Sequence, residues 1–96
     1  MDKQLLMDEI FDQYNTVFLD IKGYIAYDNA ALKEKALNEE TSISENIKAF
    51  KEIANTKEDK NIANELETFN EYYFSGFLPS FIDSEKKGRV RGWENG

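Results

Sequence analysis

The sequence predicts an all-α protein: an antiparallel bundle of three long helices, with a fourth helix that is short, truncated or supplied by a dimer partner. Three observations lead there. Apolar residues recur at helical spacing through most of the chain, and no segment alternates with the period of a strand. The links between the periodic segments are only a few residues long, which folds successive helices back on one another.

The first helix is expected over 3–27. Ile10, Tyr14, Val17, Ile21 and Tyr24 alternate by four and three, and Phe11, Phe18 and Ile25 widen the stripe. Asp8, Glu9, Asp12 and Lys22 fall largely outside it. Asp28 and Asn29 favour caps and turns by bonding to nearby backbone, so the helix stops or bends there. A second helix, over 29–54, carries Leu32, Ala36, Ile43, Ile47, Phe50 and Ala54. Glu39 and Glu40 dilute its middle, which should be more exposed than its ends.

Asn55, with Glu58 three residues on, reads as a capping box opening a third helix over 58–78. That helix carries Ile62, Leu66, Phe69, Tyr73 and Phe77. Pro79 lacks an N–H and crowds the preceding turn, so a kink is expected there. Phe81 and Ile82 place a short continuation over 80–87, and a glycine-rich polar tail follows over 88–96. A long helix beside a hairpin leaves an apolar groove that a fourth helix would normally cover.

Composition excludes much. The chain is 96 residues long, which bounds it to one domain, and its net charge is -7. Residues 1–82 hold 8 lysines against 16 acids, and 83–96 hold 4 cations against 3 acids. An acidic surface of this kind argues against a nucleic-acid partner, which needs a basic face. Without His or Cys there are no disulfides, no thiol chemistry and few routes to a zinc site. No apolar run reaches the roughly 20 residues needed to span a bilayer.

The chemistry-bearing candidates are few. Lys22-Gly23-Tyr24 sets a glycine inside the first helical stripe, where glycine costs about 0.5–1 kcal/mol relative to alanine. Such a glycine points to close packing, a bend or a site. Phe69, Tyr72, Tyr73, Phe74, Phe77 and Phe81 form the densest aromatic cluster, which reads as core or as the lining of a small-molecule pocket. Tyr72 falls beside the stripe that Tyr73 occupies. The paired carboxylates Asp8-Glu9, Glu39-Glu40 and Glu58-Asp59 read as solvated surface, and Lys86, Lys87, Arg89 and Arg91 as an exposed basic segment. No metal, cofactor or catalytic constellation is expected. The possible ligand-pocket or signalling positions are Lys22, Gly23, Tyr24, Tyr72, Tyr73, Phe77 and Pro79.

The stretch 20–36, with Asp20, Lys22-Gly23-Tyr24, Ile25, Asp28-Asn29 and Leu32 in order, resembles the extracytoplasmic helical sensor domains of bacterial receptors. These are the CHASE3-like and four-helix-bundle domains of sensor histidine kinases and methyl-accepting chemotaxis receptors. Leu66, Phe69, Tyr72-Tyr73 and Leu78-Pro79 also look like the third-helix region of such kinases. The pattern departs at Lys22, where the family usually has arginine; lysine keeps the charge and loses the planar fork. The resemblance implies the sensing domain of a membrane-bound histidine kinase. It would be a homodimer on the extracytoplasmic side, responding to an unspecified small molecule or stress, and anchored through segments outside this sequence. The alternatives are the ligand-binding domain of a chemotaxis receptor or a cytosolic acidic helical interaction module.

Overall fold

A computed structural model describes the backbone of residues 2–95 and the side chains of residues 2–88. Among the described residues the chain is all-helical. Helix α1 (Lys3–Tyr27) opens on Asp2, whose carboxylate accepts from the Gln4 N–H at 2.9 Å. It closes on Asp28, which adopts a left-handed φ of 53°, a conformation that short polar residues tolerate. Asn29 then caps α2 (Ala30–Ile53) by accepting from the Ala31 N–H at 3.1 Å. Two adjacent polar residues thus stop one helix and start the next.

Helix α3 (Lys57–Tyr72) opens one residue before the expected 58 and is capped by a residue other than Asn55. Its cap is Thr56, whose hydroxyl accepts from the Asp59 N–H at 3.0 Å. Asp59 is also bound by Lys3 of α1 at 2.9 Å. The tertiary ion pair and the cap therefore fix the same residue.

The largest departure from expectation lies at Pro79. The helix does not end there, and residues 88–95, expected as a tail, are helical. A π turn (Tyr73–Phe77) continues α3 directly, and α4 (Leu78–Asn95) runs on through Pro79 and through most of the expected tail. The Leu78 N–H reaches back five residues to the Tyr73 carbonyl, so the ordinary ladder is already interrupted there. Proline in the next position removes little.

The spacing of the third helical run explains why the turn widens. Ile62, Leu66, Asn70, Phe74, Leu78 and Ile82 repeat every four residues, and Phe69, Tyr73, Phe77 and Phe81 do so beside them. On an α-helix of 3.6 residues per turn such a stripe drifts by about 40° per step. One wide turn takes much of that drift back. Leu66, Asn70, Phe74 and Leu78 accordingly all stay buried, with Ile62 and Ile82 packed against the core.

The molecule is a rod of 56 × 21 × 17 Å. Its radius of gyration is 16.1 Å, against about 12.5 Å for a compact chain of this length. Late residues of α1 meet early residues of α2: Asp20 lies near Lys35, and Gln13 bonds Ser42 and Asn46 at 2.9 Å. Against the third run the order is the same on both sides, Lys3 with Asp59, Tyr14 with Asn70 and Tyr24 with Lys86.

The α1 backbone lies close to α2, whereas aromatic side chains span the wider gap to α3. Tyr14 packs edge-on against Phe69 at 5.1 Å and Tyr73 at 5.0 Å, and Phe18 meets Phe81 at 5.2 Å. Leu6, Ile10, Val17 and Ile21 from α1 and Ile43, Ile47 and Phe50 from α2 complete the core. Between Ala36 and Ile43 no residue of α2 is buried, as the acidic middle of that helix suggested.

The buried Tyr14 hydroxyl donates to Asn70 Oδ1 at 2.7 Å, and burial beside Tyr73 pushes the phenol well above its usual range. Tyr14→Phe leaves the Asn70 carbonyl without that donor and should cost about 1–3 kcal/mol in urea unfolding. Adding Asn70→Leu should return part of the loss, because both ends of the bond are then apolar.

The Lys3 ammonium holds the Asp59 carboxyl below the usual carboxylate range, and Asp59 in turn raises Lys3. A depressed acid stabilises above the unfolded pKa of about 4, and that stability is lost as pH falls through the folded value. The raised lysine stabilises below its unfolded pKa of about 10.4 and loses the effect as pH rises through the folded value. Asp59→Asn should therefore lower the melting temperature at pH 7, with the difference from wild type shrinking steadily as the pH is taken below 4.

Candidate functional site

Polar and apolar groups converge at the end of the rod where α1 passes into α2 and the π turn passes into α4. Tyr24 is its hub. The ring is buried at 7% exposure, and its hydroxyl accepts from the Lys86 ammonium of α4. That same ammonium lies 4.5 Å from the ring centroid, and Lys33 of α2 approaches it at 5.4 Å. The Tyr24 hydroxyl holds Lys86 above the usual lysine range, against the opposing effect of burial, with Asp28 adding to it.

Beside this hub a cleft of about 400 Å³ opens between α2 and the π–α4 junction. Leu37, Phe74, Leu78, Pro79 and Ile82 give it apolar walls, while Lys33, Asp83 and Lys86 line it with charge. Phe74 and Leu78 are buried beneath it at 6% and 0% exposure.

The sequence-derived positions do not gather into one pocket. Tyr24 and Pro79 belong to this end. Lys22 is exposed on the outer side of α1, with its ammonium 5.8 Å from the Phe18 ring, and lines a different cleft with Ile25, Phe81 and Glu85. Tyr73 and Phe77 stack on one another at 5.4 Å within the aromatic core and its edge. Tyr72 is 58% exposed and stands away with Phe69, Asn64 and Thr68.

Gly23 has a narrower role than a close backbone approach. A Cβ there would come within 2.9 Å of the Leu32 side-chain tip at Cδ1. The glycine makes room for that leucine across the α1–α2 junction. Asp20, one turn earlier, points toward α2, where Lys35 stops 3.8 Å from its Oδ2 and no hydrogen bond reaches that atom.

Lys33, Leu37 and Lys86 were missed from the sequence. A signal for Lys86 was present: it extends the four-residue series Phe74, Leu78, Ile82 and so lands on the same side of the helix. Lys33 carries no such signal, because it lies outside the apolar stripe of α2.

A larger cleft of about 540 Å³ lies mid-rod, lined by Glu40, Lys48, Lys51, Glu67 and Glu71 among others. Its three acids outnumber its two cations, and Lys51 is already paired with Glu67 at 2.9 Å. Among the described residues no acid cluster is arranged to hold a metal ion, and no helix is long and apolar enough to cross a membrane.

Fold and site together define an all-helical rod with a lysine-rimmed apolar cleft at one end. Comparison with protein families, curated proteins and solved structures found no match to this chain.

The atom met is the far end of the Leu32 side chain, so Gly23→Ala should fall within about 0.5 kcal/mol of wild type, helix propensity offsetting the shift. Gly23→Leu overfills the junction and should cost about 1–3 kcal/mol by thermal unfolding.

Proposed function

We propose that this chain is the signal-sensing, extracytoplasmic domain of a membrane-bound bacterial sensor histidine kinase. In this reading α1, α2 and the third helical run pack as an antiparallel bundle and act as a homodimer. A signal changes the relation of α1 to the π–α4 segment, and that change is passed along the rod. The observation that carries the reading is where the family-like residues fall. Asp20, Lys22-Gly23-Tyr24, Asp28-Asn29 and Leu32 make up the α1–α2 passage, and Tyr24 there touches the helix that contains the π turn.

The outer side of α1 supports the dimer. Phe11 on α1 is 51% exposed and Phe69 on α3 is 44% exposed. A further helix laid along this edge would cover the aromatic span between α1 and α3.

A π turn is one residue in excess of an α turn, so it offers a defined place for a helix to change register. A signal can shift such a balance only by the difference in its affinity for the two arrangements. Removing Gly76 should convert the turn to regular α-helix while keeping α4 on its present face. Loss of an interior helical glycine alone is worth on the order of 1 kcal/mol, or about 4–8 °C in melting temperature. An unchanged or lower melting temperature counts against Gly76 as the residue in excess.

The reading frame around these codons tests the function directly. Apolar segments of about 20 residues on both sides, with a kinase region downstream, are expected. A chemotaxis signalling region downstream would transfer the sensor to that receptor class. An isolated frame of 96 codons overturns both and favours an acidic interaction module, the reading that the 16 acids of residues 1–82 support.

A further inference from the structure

We propose that the cleft between α2 and the π–α4 junction binds a small carboxylate with an apolar body, held by Lys33 and Lys86. The proposal supplies the signal for the sensor reading and rests on it for its biological sense.

The charge distribution is the first argument. Sixteen acids stand among residues 1–82, yet the ion pairs among the described residues use Lys3, Lys35, Lys51 and Lys87. Lys33 and Lys86 form none of them, nor do Lys22, Lys48, Lys57 and Lys60, but of these six Lys33 and Lys86 line the cleft. Asp83, the one carboxylate lining the cleft among the described residues, pairs instead with Lys87 at 3.1 Å.

The geometry is the second. Two ammonium groups from different helices approach one tyrosine ring, at 4.5 and 5.4 Å. Each ammonium has three donors, and one ring face and one hydroxyl leave most of them unmet. A carboxylate has two oxygens and can accept from both.

The walls are the third. Leu37, Phe74, Leu78 and Ile82 give the cleft an apolar interior next to those two charges. Its volume of about 400 Å³ falls in the range of small-molecule sites, roughly 300–1,000 Å³. A free inorganic anion would leave those walls unmet, and an uncharged hydrocarbon would leave the lysines unmet. A carboxylate on a short aliphatic or aromatic body meets both. Its occupant would touch Phe74 within the π turn and Leu78 directly after it. Binding and turn geometry are then linked.

Octanoate and phenylacetate are suitable probes, titrated into the isotope-labelled chain and followed by amide and methyl NMR shifts. Saturable one-site binding is expected, with shifts centred on Leu37, Phe74, Leu78 and Ile82. Octanamide should bind at least roughly tenfold more weakly, and so should Lys33→Gln/Lys86→Gln with octanoate, since each loses charge-assisted bonds. Lys48→Gln, on the mid-rod cleft, should leave affinity unchanged.

Lys86 is exposed and Lys33 half-buried, and circular dichroism on the double variant checks that its helices are intact. No saturable binding of either carboxylate overturns the proposal. So does equal affinity in the double variant or for octanamide. Carboxylate binding by a chain whose reading frame lacks membrane segments would retain the site and sink the sensor reading. A kinase reading frame without carboxylate binding would do the reverse.

Discussion

The four-residue repeat of the third helical run is the constraint on which the rest of this structure depends. An apolar series at that spacing would wind off the core of an ordinary α-helix within a few turns. The chain instead keeps Leu66, Asn70, Phe74 and Leu78 buried by inserting one π turn at Tyr73–Phe77. Everything beyond that turn takes its orientation from it. Phe81 reaches Phe18, and Lys86 reaches Tyr24, because the wide turn has corrected the register ahead of them.

Aromatic bulk is a consequence of the same architecture. The α1 and α3 backbones stand farther apart than α1 and α2 do, and short side chains would leave that gap empty. Tyr14, Phe69, Tyr73, Phe77, Phe18 and Phe81 fill it as a chain of ring contacts between 5.0 and 6.5 Å. Large rings reach across such a distance while contributing extensive apolar contact. Tyr14 also carries a hydroxyl into the interior, and its bond to Asn70 satisfies the polar member of the buried series. Asn70 fixes register in the manner of a single polar residue in an apolar seam, since a slip of one turn would bury it without a partner.

Much of this was legible in the residues. The two long helices and the Asp28-Asn29 reversal follow from stripe periodicity and from side chains that cap, and α1 ends where its apolar pattern ends. Pro79 taken by itself reads as the end of a helix, yet the helix continues through it. Its neighbours at Phe74, Leu78 and Ile82 already called for a widened turn, and a residue without an N–H is well accommodated just after one. The site was less legible. Tyr24 and Pro79 stood out as odd residues in their helices, whereas Lys33 looked like any other solvated lysine. Its role depends on a neighbour 53 positions later, and no local pattern encodes that approach.

Gly23 and the π turn are two solutions to one packing problem at the same end of the rod. At the α1–α2 junction a missing Cβ admits the Leu32 tip, and at the α3–α4 junction an extra residue admits Phe74 and Leu78. Tyr24 lies between them, adjacent to Gly23 in sequence and bonded to Lys86 in space. Any change in the pitch of the π turn must therefore either carry Lys86 away from Tyr24 or pull on the residue beside the α1–α2 junction. Close packing leaves little room for intermediate arrangements, so such a junction tends toward discrete alternatives. The two lysines hold one anchor from each side, Lys33 from α2 and Lys86 from α4, and a charge placed between them would favour the arrangement that keeps both in reach.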